Sequence, residues 1–337
     1  MNPRVSVIIP IYNVQEYIAE CLESLMAQTF ADFEAICVDS GSSDRSIEVA
    51  KRTVRGDARF VFLESGDNGQ SVARNRALEV VRGDYLLNLD SDDYYRPETL
   101  ERLVAKADSE GLDLLFFAAK TFYETEALAH SNPEPQDDRP DVPGVFTGAD
   151  IYVELERTGA FRPSACLFLM RRSMIERAGL RFEEGIIHED LLFTMMCIPL
   201  AQRAAFLNET FYQRRMRAHS TMTSARSVRN IRGHLVASMR MEEWIKSHAD
   251  EFDAAFCDAY CARIHHTWQL VAEDVRTIGM EEVAAFRETL ERRERIALDL
   301  HGIGPAAAMG EVLDSTTFKV GRAIMAIPTA IKDRLSS

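Results

Sequence analysis

No apolar run in this sequence approaches the roughly 20 residues a bilayer-spanning helix needs. Positive charge is also scarce. The formal net charge is −14, which argues against a general nucleic-acid binder because little here would offset phosphate repulsion. Two phosphate-binding fingerprints are missing. No G-x-G-x-x-G follows the first apolar strand, so a dinucleotide fold is not indicated, and no G-x-x-x-x-G-K-[ST] exists to make a P-loop ATPase. A disulfide framework is absent too. The six cysteines, Cys21, Cys37, Cys166, Cys197, Cys257 and Cys261, are scattered through apolar segments, the pattern of reduced thiols in a cytoplasmic protein. Met1–Arg4 runs straight into a strand without a secretory leader. The expectation is a soluble, cytoplasmic protein, at most lying on the inner face of a membrane.

What is present is an ordinary globular composition, 46% hydrophobic and 27% charged over 337 residues. That length suits one large domain with an appendage, or two domains. Short apolar strands are expected at Val5–Ile9 (ended by Pro10), Glu34–Val38, Arg59–Leu63, Tyr85–Leu89 and Leu112–Ala118. Helices are expected between them over Val14–Gln28, from Asp44 onward, over Ser71–Val81 and over Glu98–Ser109. Such alternation predicts a parallel α/β sheet. Tyr12-Asn13, Asp39, Asn68 and the Asp90 cluster then all fall at the carboxyl ends of strands, the edge where open α/β sheets bind ligands.

The chain is organised around Gly83–Tyr95, GDYLLNLDSDDYY, where a buried strand stops abruptly at Asp90-Ser91-Asp92-Asp93. Three carboxylates in four residues repel unless something positive lies between them. Oxygen ligands of this kind suit Mg²⁺ or Mn²⁺ shared with a phosphate-bearing substrate. An acidic turn capping the next helix is the competing account. Arg74, on the helix after Asn68-Gly69, could meet a diphosphate held there.

Phe122–Val145, with four prolines among many acidic residues, reads as an excursion from the sheet, a lid or acceptor loop. Thr147 is a good N-cap for a helix to Arg157. A strand is expected at Ser164–Met170 and a short helix at Ser173–Ala178. His188-Glu189-Asp190 precedes an apolar helix, Leu191–Leu200. Asp190 there is either a helix cap or a general base for an acceptor hydroxyl, with His188 a local hydrogen-bonding residue. A strand at Ala205–Tyr212 leads into Arg214, Arg215, Arg217 and His219, the one dense basic patch, which could oppose leaving phosphates or merely be solvated. From Val228 onward helices dominate, at Ile231–His248, Phe252–Ile278 and Met280–Leu300. Cys257, Cys261 and His265 at four-residue spacing are a metal cluster or, more simply, a helix interior. Thr317–Leu335 mixes apolar and basic residues, as an interfacial anchor at an anionic membrane would.

Val7–Asn13 (VIIPIYN), Val38–Asp44 (VDSGSSD), Ala73-Arg74-Asn75 and Leu89–Asp93 (LDSDD) resemble the inverting glycosyltransferase family 2, which has the GT-A fold. His188-Glu189-Asp190 and Arg215–Ser220 are similar to its later motifs in bacterial capsule and exopolysaccharide transferases. The resemblance covers about Arg4–Ser224. It implies a mostly parallel, Rossmann-like sheet domain over residues 1–225, followed by a helical region over 226–337. It further implies that Pro10, Tyr12 and Asp39 line a nucleoside pocket, joined in donor binding by Asn13, Asn68, Arg74, Asp90 and Ser91. Asp92 would hold Mn²⁺ or Mg²⁺ on the diphosphate, with Arg217 near the phosphates and His219 a further metal contact. Asp190 would be the catalytic base, with Glu189 beside it. Gln70 and Arg76 depart from the smaller residues usual around this segment. The implied activity is metal-dependent transfer from a nucleotide sugar, UDP-linked by preference, to a hydroxyl of a glycan or lipid-linked acceptor. A nucleotidyltransferase and a silent nucleotide-sugar-binding scaffold are the rivals.

Overall fold

The computed structural model describes residues 2–301 and 303, except 67–68, 132–138, 219 and 222. The chain opens with β1 (Val5–Ile11), α1 (Ile18–Met26), β2 (Phe33–Asp39), α2 (Ser46–Val54), β3 (Phe60–Glu64), α3 (Gln70–Leu78), β4 (Tyr85–Asn88), the short β5 (Tyr94–Tyr95) and α4 (Thr99–Glu110). It continues with β6 (Leu114–Tyr123), α5 (Glu126–Ser131), β7 (Val145–Phe146), α6 (Gly148–Thr158), β8 (Phe168–Arg171), α7 (Arg172–Ala178), α8 (Glu189–Cys197) and β9 (Ala204–Met216). Four helices follow: α9 (Val228–His248), α10 (Ala254–Ile278), α11 (Met280–Thr289) and α12 (Arg292–Leu300).

The strands form one sheet in the order β3-β2-β1-β4-β8-β6-β9-β5, with β7 on β9. The first four strands are parallel and so are β6 and β9. β8 lies antiparallel between β4 and β6, and β5 and β7 are antiparallel to β9. The sheet is thus mostly parallel, as expected, with β8 running antiparallel inside it.

The core explains the order. All seven residues of β1 are buried, as a strand covered on both faces requires, and Ile18, Cys21, Leu22 and Leu25 of α1 pack into the same apolar cluster. β1 runs through Pro10 to Ile11 instead of stopping there. Gly83 is demanded by a close approach: a Cβ would lie 2.5 Å from the Ser6 backbone nitrogen.

α1 starts at Ile18, four residues later than expected, and ahead of it the backbone N–H groups of Val14 and Gln15 donate to Ser46 Oγ (2.7 Å) and Asp44 Oδ2 (3.1 Å). Thr147 does cap α6, accepting from Asp150 N at 3.1 Å. The excursion is more ordered than expected at its ends, which hold the tip of β6, α5 and β7.

The chain divides into two compact units, Met1–Ala225 with Ser247–Tyr260, and Arg226–Lys246 with residues 261–337. In α10, Cys257 is half-buried and Cys261 and His265 are exposed. The inward face belongs instead to Phe256, Tyr260, Ile264 and Trp268, so the helix-interior reading of the cysteines is corrected by one residue of helical phase. No group of three or more potential ligands that could hold a metal occurs among the described residues. The tail at 317–335 lies outside them. No described helix is long and apolar enough to cross a membrane.

Candidate active site

Parallel register brings the strand ends to one edge. Ile11 pairs with Asp39, and Leu89 N donates to Ile8 O, so Tyr12, Asp39 and Asp90 follow adjacent strands β1, β2 and β4. The loops after β1 and β2 are clasped: Ser43 N donates to Asn13 Oδ1 (2.8 Å), Asn13 N donates to Ser42 Oγ (3.2 Å), and Ser42 N donates to Asp39 Oδ1 (2.9 Å). Asn13 pays for this with a left-handed backbone, φ 50°, a conformation that only a short polar side chain adopts readily. Tyr12 stands 54% exposed at the edge while Pro10 is buried in β1.

The three carboxylates after β4 each have their own partners. Asp90 Oδ1 accepts from Arg74 Nη2 and from Gln70 Nε2, each at 2.8 Å. Asp92 Oδ2 accepts from Arg217 Nε at 2.7 Å. Asp93 is buried and accepts from Tyr212 Oη and from Arg215 N, both at 2.6 Å. Burial first, and the neighbouring carboxylates second, push Asp93 well above the usual carboxylate range; Asp92 is raised by burial and by Asp90 against the pull of Arg217. Ser91 is buried between them.

Arg74 is the hub. It is 2% exposed, and its Nη1 donates to Glu189 Oε1 at 2.6 Å while Nη2 holds Asp90. Burial alone would lower its pKa, but the charges of Asp90 and Glu189 win and raise it. Its terminal nitrogens thus hold two carboxylates from distant parts of the chain. Glu189, expected beside Asp190 at the catalytic position, is buried and paired with Arg74.

α8 begins at Glu189, two residues earlier than expected, after His188 in a left-handed conformation (φ 64°). Asp190 therefore lies in the first turn, not at the cap position, and accepts from Leu191 N at 2.9 Å. Burial, then Glu189, pushes its carboxyl up to about 7 against the pull of Arg74. A carboxylate so poised is suited to accept a proton near neutral pH.

β9 reaches Met216, four residues past the expected strand end, and two register shifts against β6 re-aim it. Arg214 and Arg215 of the basic patch thereby belong to the sheet, and Arg217 follows it. Arg215 pairs with Glu20 and donates to Asp92 O, and Arg217 meets Asp92. Tyr212, Gln70 and Cys166, whose Sγ lies 4.0 Å from Arg74 Nη2, are site neighbours that sequence reasoning missed. Gln70 drew notice only as a departure from the family pattern. Asn68 and His219 lie outside the described residues.

As to a divalent cation, Asp90 and Asp92 stand two residues apart after β4 and the charge of Asp90 bears on Asp92, so these two carboxylates are the oxygen donors considered. That donor set fits Mg²⁺ or Mn²⁺ shared with substrate phosphates, which typically uses one or two carboxylates.

The profile of the family described as "Glycosyl transferase family 2" matches residues 6–179. "Uncharacterized glycosyltransferase EpsJ" of Bacillus subtilis (strain 168) is 34% identical over 215 residues, 63% of this chain and 61% of that protein. "Uncharacterized glycosyltransferase YibD" of Escherichia coli (strain K12) is 32% identical over 211 residues, 62% and 60% of the two chains. The matched region thus spans about three fifths of these curated relatives. S. aureus TarS 1-349 in complex with UDP-GlcNAc superposes with a TM-score of 0.62 at 22% identity, over 96% of this chain and 88% of that one. The mannosyltransferase PcManGT of Pyrobaculum calidifontis, in complex with GDP-Man and Mn²⁺, gives 0.55 at 16% identity, over 100% and 88%. Both likenesses are of fold.

Proposed function

From the premise that the chain belongs to glycosyl transferase family 2, we propose that it is an inverting transferase moving a sugar from a nucleotide donor to a hydroxyl of a glycan or lipid-linked acceptor in surface polysaccharide synthesis. The observation that carries this reading is the surplus of carboxylates at one sheet edge. Asp90, Asp92, Asp93, Glu189 and Asp190 gather there, and among the described residues Arg74 and Arg217 answer them with side-chain ion pairs. A stable fold does not leave such an imbalance without a cationic or hydrogen-bonding ligand.

In this mechanism Tyr12 and Asp39 hold the nucleoside beside β1 and β2. Asp92, with Asp90, would hold Mn²⁺ or Mg²⁺, which supplies positive charge to the departing diphosphate. Arg217 shares that duty from the other side. Asp190 takes the proton of the acceptor hydroxyl as the hydroxyl oxygen attacks the anomeric carbon, and inversion follows from displacement at the opposite face. Arg74, clamped to Glu189, fixes the start of α8 and so the position of Asp190. UDP is favoured as the nucleotide because TarS binds UDP-GlcNAc, and work at the cytoplasmic face follows from the nature of the donor.

Calorimetry of UDP, GDP and dTDP with and without Mn²⁺ tests the reading. We expect UDP to bind only with the cation and Asp92→Ala to abolish that cation-dependent binding. Equal binding of UDP in both conditions would remove the cation from the site, and binding of no nucleotide would remove the function.

A further inference from the structure

Tyr17 closes the loop that follows β1 and stands immediately before α1. Its backbone is fixed there: Tyr17 N donates to Val14 O at 2.9 Å, and Cys21 N donates to Tyr17 O at 3.3 Å. The side chain is half-buried and packs against the apolar core. Two guanidiniums from the end of β9 and just past it meet its ring. Cζ of Arg217 lies 4.9 Å from the ring centroid and Cζ of Arg215 lies 5.2 Å from it. Both are inside the roughly 6 Å over which the negative face of an aromatic ring attracts a cation.

The two arginines depend on that ring to different degrees. Arg215 is fixed several times over. Glu20 pairs with it, its Nε donates to Asp92 O at 3.0 Å, and the Phe122 ring centroid lies 4.7 Å from its Cζ. Arg217 is held by Asp92 Oδ2 at 2.7 Å and by the Tyr17 ring, with a long contact of 3.5 Å from Nη1 to Ala218 O. Asp92 is also the carboxylate proposed to take the divalent cation, and a carboxylate that takes up a cation loosens its grip on a guanidinium. The ring has no part in that competition. It keeps its hold on Arg217 whatever Asp92 binds.

We infer that Tyr17 is a positioning residue that holds Arg217 for the diphosphate of the donor. This rests on the transferase reading and deepens it: the loop that offers Tyr12 and Asn13 to the nucleoside also sets the phosphate clamp. An arginine already held against a rigid ring loses less side-chain freedom when it meets a phosphate. Plain packing at the start of α1 is the competing account, and the two differ in which ligand feels the loss of the ring.

The test uses the full chain with saturating Mn²⁺. Calorimetry measures the nucleoside diphosphate that wild type binds (UDP by expectation), and ligand-observed NMR measures its bare nucleoside. Tyr17→Leu should weaken the diphosphate roughly three- to tenfold, as loss of a partly buried cation–π contact does, and leave the nucleoside unchanged. Tyr17→Phe keeps the ring and should bind like wild type. In an Arg217→Gln background Tyr17→Leu should weaken binding no further, because the contact is already gone. Should Tyr17→Leu fail to fold, Tyr17→Met carries the same expectations. Equal weakening of diphosphate and nucleoside, a Tyr17→Phe variant as impaired as Tyr17→Leu, or a full further loss in the Arg217→Gln background would overturn the assignment. Wild type that binds no nucleotide would sink the transferase reading and this inference with it, whereas those three outcomes, with wild-type binding intact, sink the inference alone.

Discussion

Two buried networks in the two units make opposite use of charge. In the helical unit, Asp274 is enclosed and answered: His234 Nδ1 lies 2.9 Å from one of its oxygens and Arg226 Nη1 lies 3.3 Å from the other. Anion and donors match, and nothing is left for a ligand. At the sheet edge, Arg74 must serve both Asp90 and Glu189 while Asp92, Asp93 and Asp190 crowd the same loops. The first arrangement holds helices together. The second leaves carboxylates crowded and raised at one edge of the sheet, the kind of perturbation that marks candidate functional sites.

The comparison can be broken most sharply at Asp190. Asp190→Asn should lower transfer by about 10²–10⁴-fold while donor binding stays intact, the loss expected for a positioned base. Transfer at the wild-type rate in a radiolabelled-sugar assay would move the base elsewhere.

Next in size is the stability contrast. Arg74→Met leaves Glu189 buried without its partner and should cost about 3–5 kcal/mol in urea unfolding. Asp274→Asn keeps shape and hydrogen-bonding capacity, so it should cost about 1–3 kcal/mol and leave the UDP affinity unchanged. A matching loss of UDP binding in Asp274→Asn would erase the distinction between the networks.

The smallest effect concerns pH. The Asp190 carboxyl sits above its ordinary range, near 7, so the folded protein without ligand binds this proton more tightly than the unfolded chain does. Its contribution therefore favours the fold at acid pH and is lost as pH rises from about 4 through 7. Activity runs the other way, since the base must be ionised, and should climb with unit slope through about 7. In Asp190→Asn both dependences should flatten. A profile unchanged by that substitution would assign the titration to another group.

Much of the site was legible in the chain. The abrupt arrest of Tyr85–Leu89 at three aspartates, and the placement of Tyr12, Asn13 and Asp39 after other buried strands, follow from apolar runs and their polar ends. Such patterns are local, and one sheet edge collects them wherever strands run parallel. The clasp between the loops after β1 and β2 was not legible, because it is made of hydrogen bonds between distant segments, such as Val14 to Ser46.

What the sequence by itself determined was therefore the kinds of residue at the edge and their order along it, since period and strand termination are properties of neighbours in the chain. Only the tertiary structure decided how their charges are shared. Arg74 lies 115 residues from Glu189, yet the fold sets it against that carboxylate and Asp90. Tyr17 looks like one aromatic at a helix start until the fold lays two guanidiniums against its ring. Desolvation depends on what the whole fold brings alongside, and no local pattern encodes it.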